Sequence, residues 1–426
     1  MTTDGSVFVI DNGAGSIKSG FSSSSEPQIV PNCKMKVKSE RQRQYIGDQI
    51  NDCKDCSGLY YLLPHQKGFI INWDTEREIW EYLFSHKYKN LIPKETNIVI
   101  TEPYFNFKAI QNNIDEVLLE EYGFNSICRT NAGFLSSINY KSQNTKLDAT
   151  TNLSATDECH ALACLVVDSG FSFTHVAPYV HSEKYGYLKL KQAVRRVDIG
   201  GKALTNYLKE LISYRQMNVM DETYVINQCK EDICFIATNF DETLKECESN
   251  RQNKVAKDYI LPDFTNVKRG YVREPDWRAS TRIDPNSTDP QFVRLANERF
   301  QVPEILFNPS DIGISQVGIV EAIVDSINSL PKQIHPFLYA NIVLTGGNVN
   351  IPGFRERVLK GVRKYCPSHY QVNVFLPDNP ATYAWAGGKS LANQHPDLLK
   401  ELSVTRKEYE ESGDNKKQIC VEKFDT

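Results

Sequence analysis

The sequence predicts an α/β protein of two lobes, each a mixed β-sheet flanked by helices, facing each other across a nucleotide cleft. Three observations lead there. Short β-rich runs alternate with amphipathic helical patterns along the chain. Two of the runs close in the same way, with an apolar strand followed by Asp, a small residue and Gly. A third apolar run ends in a glycine pair. One strand-turn unit used in both halves implies two related sheets that meet at their turns.

In chain order, residues 7–10 form the first strand, stopped by Asp11, Asn12 and Gly13. Residues 98–101 form another, ended by Glu102 and Pro103, and Pro suits a strand exit. Residues 110–121 carry apolar side chains at 110, 114, 117 and 118, the stripe of a helix packed on a sheet. Residues 162–167 are continuously apolar, as in a strand buried on both faces, and end at Asp168, Ser169 and Gly170. The helical stripe returns over residues 203–212, and residues 341–345 form a last strand, ending at Gly346, Gly347 and Asn348.

Two stretches read as insertions. Residues 141–158 are rich in Ser, Thr and Asn and are expected to form a flexible loop. Residues 245–290 are polar except for Tyr259, Ile260, Leu261 and Phe264, which are expected to dock a partner because a polar insertion buries little, with packing back onto the inner lobe as the alternative. The charged tail after Ser412 is expected at the periphery, with residues 419–424 able to dock. The outer lobe is expected to comprise residues 1–160 plus 380–426, and the inner lobe residues 161–379.

The chain has 426 residues, 40% hydrophobic and 24% charged, which excludes wholesale disorder. Its 49 Lys+Arg against 53 Asp+Glu give a net charge of -4, contrary to the basic excess of a dedicated nucleic-acid binder. The longest purely apolar stretch, residues 161–167, is far short of the roughly 20 residues of a membrane-spanning helix. The N-terminal residues lack the cationic region of a signal peptide, so an intracellular protein is expected. Eleven cysteines include one Cys-x-x-Cys, Cys53 to Cys56, with no second pair at zinc-site spacing. A turn with two thiols is the expectation.

The turns carry the chemistry. Asp11, Asn12, Gly13, Ala14 and Gly15 follow the first strand, and Asp168, Ser169 and Gly170 the later one. Tight glycine turns aim successive backbone N–H groups at one point, which suits a phosphate. Asp11 and Asp168 would then face one cleft and could hold a hydrated divalent cation. Lys18, on the returning strand, could reach the phosphates, and Gly346 and Gly347 add a third close approach.

These segments resemble the actin superfamily. Residues 11–21 resemble its first phosphate loop, 167–175 the second, and 197–207 and 341–347 the segments around the purine pocket, with likeness from 7 to about 424. The resemblance implies an actin-like ATPase fold that takes ATP or ADP with magnesium. It implies that Lys230, Glu231 and Tyr383 line the purine pocket. Departures from the family pattern imply weak ATP turnover at most. Phe171 and Ser172 stand where Asp and Gly are usual, Asn131 where Gln is usual, and Ala14 where a hydroxyl is usual. Asn227 and Thr382 replace an Arg and a Lys, while His175 keeps the second water-orienting position.

Residues 64–74, 101–107, 213–222 and 295–310 resemble one nuclear branch of the actin-related proteins. That resemblance implies a subunit of a chromatin-remodelling complex that exchanges canonical histone two-A for its Z variant. Its partners would be the other subunits, including the complex's ATPase, with nucleosome or histones nearby, and with no membrane and no filament. It further implies a nuclear location with some cytoplasmic protein. Residues 31–45, shorter than actin's subunit-gripping loop, carry Lys34, Lys36, Lys38, Arg41 and Arg43 and read as a solvated edge; contact with nucleosomal DNA is the alternative.

Overall fold

The computed structural model describes residues 6–38, 43–148, 162–182, 186–248, 253–276 and 290–424. Two mixed sheets organise them. One has the order Val404–Thr405, Ser126–Asn131, Thr96–Glu102, Ser6–Asn12, Ser16–Phe21, Gln28–Pro31. The other has the order Gly186–Lys189, Thr174–Ser182, Ala163–Ser169, Ile342–Thr345, Val374–Phe375, and Arg195–Val197 also pairs with Thr174–Ser182.

The sheets repeat one plan. Ser6–Asn12 runs antiparallel to Ser16–Phe21 and parallel to Thr96–Glu102. Ala163–Ser169 likewise runs antiparallel to Thr174–Ser182 and parallel to Ile342–Thr345. In the first hairpin Asp11 lies opposite Lys18; in the second Asp168 lies opposite His175. Both strand partners are seven residues on, so Lys18 and His175 occupy equivalent places. The expected duplication is present in the register itself.

Each sheet is closed by helices whose apolar stripes the sequence already displays. Lys108–Glu116 and its wider-turned continuation Val117–Glu121 bury Ile114, Val117 and Leu118 with Phe8, Ile10 and Ile100. Gly201–Arg215 buries Leu204, Leu208 and Ile212 with Leu165, Val167 and Leu344. Helix Lys416–Phe424 docks on the first sheet's core, with Cys420 fully buried and Ile419 and Phe424 packed beside it.

Three expectations need correction. Residues 141–148 do not loop out; they complete helix Ala132–Asp148, and residues 149–158 lie outside the described set. The stretch 245–290 contributes strands Lys257–Ile260 and Tyr271–Arg273, which join Phe292–Leu295 in a small sheet. The apolar patch within it is not a free surface. Tyr259 and Ile260 are fully buried, Tyr259 and half-buried Leu261 against the inner core.

Phe264 packs instead on a cluster of Cys33, Met35, Tyr45 and Leu59, which belongs to the small sheet Lys34–Lys36, Gln44–Ile46 and Tyr60–Leu62. The Gly58 N–H donates to Glu222 at 3.1 Å nearby. These contacts tie the small sheet Lys34–Lys36, Gln44–Ile46 and Tyr60–Leu62 to residues 222 and 264 of the later half of the chain. Phe264→Ser is therefore expected to lower the stability of the isolated chain by about 1–2 kcal/mol, the scale of partial burial of one aromatic ring. Chemical denaturation checks this; an unchanged midpoint together with loss of a partner would restore the docking reading.

The basic segment is mixed in character. Lys34 is buried and paired with Glu78, Lys36 and Lys38 are exposed, and the Arg43 guanidinium lies 4.6 Å from the Tyr45 ring centroid. Arg41 falls outside the described residues.

Candidate functional site

The turns of the two sheets open onto one cleft of about 770 Å³. Asp11, Asn12, Gly13, Ala14, Gly15 and Lys18 line it from the first sheet. Asp168, Gly170 and His175 line it from the second, and Lys230, Glu231, Gly346 and Gly347 also contribute to its walls. Three expected residues do not line it. Ser169 is fully buried beneath its turn, sharing a hydrogen bond with Thr174 at 2.9 Å and accepting one from Asn348 at 3.1 Å. Tyr383 is buried in a neighbouring core and donates to Gln143 at 3.0 Å. Asn131 lies in an adjacent cavity, where its Nδ2 donates to the Glu102 carbonyl at 3.1 Å and its Oδ1 accepts from Lys189 at 2.8 Å. Strand residues alternate in direction, so Asn131 can end the strand beside the cleft and still face away from it.

The first turn is held by side chains the sequence reading did not single out. Thr101 Oγ1 donates to Asp11 Oδ1 at 2.8 Å and accepts the Asn12 N–H at 2.9 Å. Lys18 Nζ is 3.3 Å from Asp11 Oδ2. Asn12 Nδ2 donates to Glu76 Oε1 at 2.7 Å, and Asn32 Nδ2 donates to the Gly13 carbonyl at 3.1 Å. Thr101 at the end of an apolar run was the one available signal; Glu76 carries none, because its partners are distant in sequence.

Glu76 is fully buried, and burial pushes its carboxyl up to about 7. His65 Nδ1 lies 3.9 Å from Glu76 Oε2, and burial holds that imidazole down to about 3, so both groups favour their neutral forms. Glu76 Oε2, His65 Nδ1 and Asn32 Oδ1 have no hydrogen-bond partner among the described residues. Because the Glu76 carboxyl is raised in the folded chain, its contribution to stability is full below about pH 4.5 and is lost as pH rises through about 7. Glu76→Gln keeps the acceptor for Asn12 and adds an N–H donor for the unpartnered acceptors. The variant is expected to be more stable than the native chain by about 1–3 kcal/mol at pH 8 and nearly equal at pH 5. Equal differences at both pH values would show that ionisation of Glu76 is not the cause.

The second turn is fixed from below. Asn348 Nδ2 donates to the Gly170 carbonyl at 2.7 Å. The first amides of helix Gly201–Arg215 also point at it: the Gly201 N–H reaches the Gly170 carbonyl at 3.0 Å, and the Lys202 N–H the Phe171 carbonyl at 2.9 Å. Two aromatic rings leave this turn for the opposite lobe. A Cβ placed on Gly15 would come within 2.8 Å of Phe171 Cγ, so the Phe171 ring lies directly on the first turn. A Cβ on Gly68, at φ +76°, would come within 1.8 Å of the Phe173 ring. Only glycine admits these approaches.

His175 sits behind the turn, its ring 4.3 Å from that of Phe173 and 4.7 Å from that of Tyr104. Burial, assisted by the charge of Arg196, lowers its imidazole to about 3, so it is neutral across the physiological range. Its Nε2 is buried without a partner among the described residues. Burial and the nearby Asp11 charge raise the Asp168 carboxyl to about 6, with Lys18 opposing. Two facing carboxylates with one lysine leave a deficit of positive charge that a cation would offset. At the other end Lys230 Nζ is enclosed by the Gly201 carbonyl, Thr205 Oγ1 and Asn227 Oδ1 at 3.3, 3.1 and 2.9 Å, while exposed Glu231 accepts from Asn227 at 2.9 Å.

The arrangement fits a phosphate-bearing ligand with a divalent cation: glycine turns, paired carboxylates, one lysine and an unpartnered imidazole nitrogen. Beyond Asp168 the second turn carries no further carboxylate, Phe171 standing at that place. A family model for actin matches residues 2–424. The chain is 44% identical over 408 residues to actin-related protein 6 of Drosophila melanogaster, covering 96% of this chain and 97% of that protein. It is 37% identical over 443 residues to actin-related protein 6 of Oryza sativa subsp. indica, covering 97% and 98% respectively. It is 34% identical over 479 residues to actin-related protein 6 of Dictyostelium discoideum, covering 99% and 95%.

Proposed function

The chain belongs to the actin family, and from that premise we propose that it is a non-polymerising structural subunit of a nuclear chromatin-remodelling complex. That complex exchanges canonical histone two-A for its Z variant and so contributes to transcription regulation. The chain is an actin-related protein of the kind named actin-related protein 6. Its partners are the complex's other subunits, including the ATPase, with the nucleosome or histones close by. It resides in the nucleus, with some cytoplasmic protein.

The actin fold generally holds a nucleotide with magnesium. Here Asp11 and Asp168 would hold the cation, and Lys18 with the turns at Gly13, Gly15, Gly170 and Gly346 would hold the phosphates. A bound magnesium nucleotide would neutralise the facing carboxylates and tie the lobes. The observation that carries a structural role over turnover is the Phe171 ring lying on Gly15, beside the Phe173 ring on Gly68. The chain's own aromatic rings already bridge the lobes, at the turn where a hydrolase of this fold needs close phosphate contact.

The test is purification of the tagged chain with its native partners from nuclear and cytoplasmic extracts, followed by depletion. Stoichiometric recovery of a remodelling ATPase, with loss of Z-variant exchange from depleted extract, is the expected result. Recovery in filaments, or unimpaired exchange after depletion, would overturn it. Slow actin-type hydrolysis is the second reading, kept by the place of His175 in the cleft wall; single-turnover hydrolysis at rates typical of actin would favour it.

A further inference from the structure

Ten of the chain's eleven cysteines lie among the described residues, and nine of these ten are buried. Cys53 is the exception, half-buried at the surface. It opens the chain's Cys-x-x-Cys, whose second thiol belongs to Cys56, 6% exposed. Among the described residues no group of three or more His, Cys, Asp and Glu is placed to hold a metal. The pair is therefore read by its thiol chemistry.

The local fold brings the two thiols together. The short helix Gly47–Asp52 ends at Cys53, whose N–H returns to the Ile50 carbonyl at 2.9 Å. Asp55 then folds the chain back. Its carbonyl accepts from Cys53 Sγ at 3.2 Å, and its Oδ1 accepts the Ser57 N–H at 2.9 Å. Gly58 completes the turn at φ +57°. The Cys53 and Cys56 thiols thereby come within hydrogen-bonding reach of each other. Cys56 packs with Cys33, Tyr45 and Leu59 in the core of the small sheet, and Cys53 lies against the same cluster. Accessibility separates the pair. Burial, with the Cys53 thiol beside it, pushes the Cys56 thiol up to about 12, so Cys56 stays protonated and out of reach of solutes. Cys53 is the thiol that an outside reagent can meet.

We infer that Cys53 and Cys56 form a modification site, a dithiol that closes reversibly to an intramolecular disulfide by exchange with a low-molecular-weight disulfide. The Cys53 sulfur attacks the reagent's S–S bond. A mixed disulfide forms on Cys53, and the first reagent thiol leaves with the Cys53 proton. The Cys56 sulfur then attacks Cys53 Sγ, and the second reagent thiol leaves with the Cys56 proton. Two protein thiols are oxidised and one disulfide is reduced to two thiols. Attack within a single turn has a high effective concentration, which offsets the small thiolate fraction of Cys56. In the reducing compartments proposed above the pair rests as a dithiol, and it closes when the surrounding thiol pool is oxidised. The link lies two residues before Gly58, whose N–H holds Glu222 of the later half of the chain.

The test uses the full chain, reduced and freed of reductant, with oxidised glutathione as the probe. After incubation of the folded protein, it is denatured in N-ethylmaleimide, digested without reduction and mapped by mass spectrometry. The peptide spanning Cys53 and Cys56 is expected to be lighter by two hydrogens and unalkylated, and dithiothreitol should restore both thiols. Cys53→Ser, at a half-buried position, should slow oxidation of Cys56 by about tenfold or more, because the remaining thiol is buried. Cys56→Ala, a small apolar replacement suited to the cluster, should instead accumulate one glutathione on Cys53. The inference is overturned by a native chain that keeps glutathione on Cys53 without closing, by reaction at Cys53 no faster than at the buried cysteines, or by undiminished oxidation of Cys56 in Cys53→Ser.

Discussion

Replacing Phe171 with alanine should tighten binding of magnesium-ATP by about tenfold or more and lower the melting temperature of the nucleotide-free chain. Both effects come from one ring. It lies on Gly15, at the face of the first turn that a phosphate would use. Truncation removes the obstruction without moving the turn, because the backbone of residues 170–171 is held by the Gly201 and Lys202 amides and by Asn348. A gain of about 1.4 kcal/mol is a factor of ten, and one or two restored phosphate hydrogen bonds supply that much. The loss in the nucleotide-free state is that of a partly buried aromatic bridging two lobes, about 1–2 kcal/mol. Isothermal titration and thermal melting separate the two. Unchanged affinity with a lowered melting temperature would make Phe171 a clamp alone. Asn131→Gln, in the same background, should add nothing, because Asn131 faces Lys189 in the neighbouring cavity.

The cleft was readable because its signals are local. An apolar run followed by Asp, a small residue and Gly gives a strand and a turn, and the hairpin that returns sets the register that brings Lys18 opposite Asp11 and His175 opposite Asp168. What sequence could not supply is long-range. Residues 141–148 carry no periodicity, yet they complete a helix begun at Ala132. The patch at Tyr259 looks isolated because Val293 and Leu295, its strand and core neighbours, lie beyond a polar stretch. Tyr383 and Asn131 sit on elements that border the cleft, and packing turns their side chains elsewhere. The Phe171 substitution was visible as a lost carboxylate; that its ring would rest on Gly15 required the two lobes to be brought together.

Arg129→Ala is expected to be the most damaging single substitution outside the cleft. The Arg129 side chain is 1% exposed and lies within strand Ser126–Asn131, between two buried acids. Its Nη1 donates to Glu102 at 2.7 Å, and its Nε and Nη2 donate to Asp115 at 3.1 and 3.2 Å. Its guanidinium also lies 4.8 Å from the ring of Phe424 on the docked terminal helix. Removing one member of a buried ionic set strands the others, which costs about 3–5 kcal/mol. Even with Arg129 present, burial raises the Asp115 carboxyl to about 6. Without the cation it rises further, so the variant's Asp115 adds stability in full only below about pH 4 and loses it as pH climbs through 6 and beyond. The deficit should therefore be small near pH 5 and full at pH 8. Arg129→Lys keeps the charge but not the forked geometry and should fall between the two. Because the terminal helix loses its cation–π contact, fully buried Cys420 should become reactive to a maleimide in the alanine variant. Melting curves at both pH values and the labelling rate check the argument. A loss of equal size at pH 5 and pH 8, with Cys420 still protected, would show that Arg129 acts by packing and not by charge.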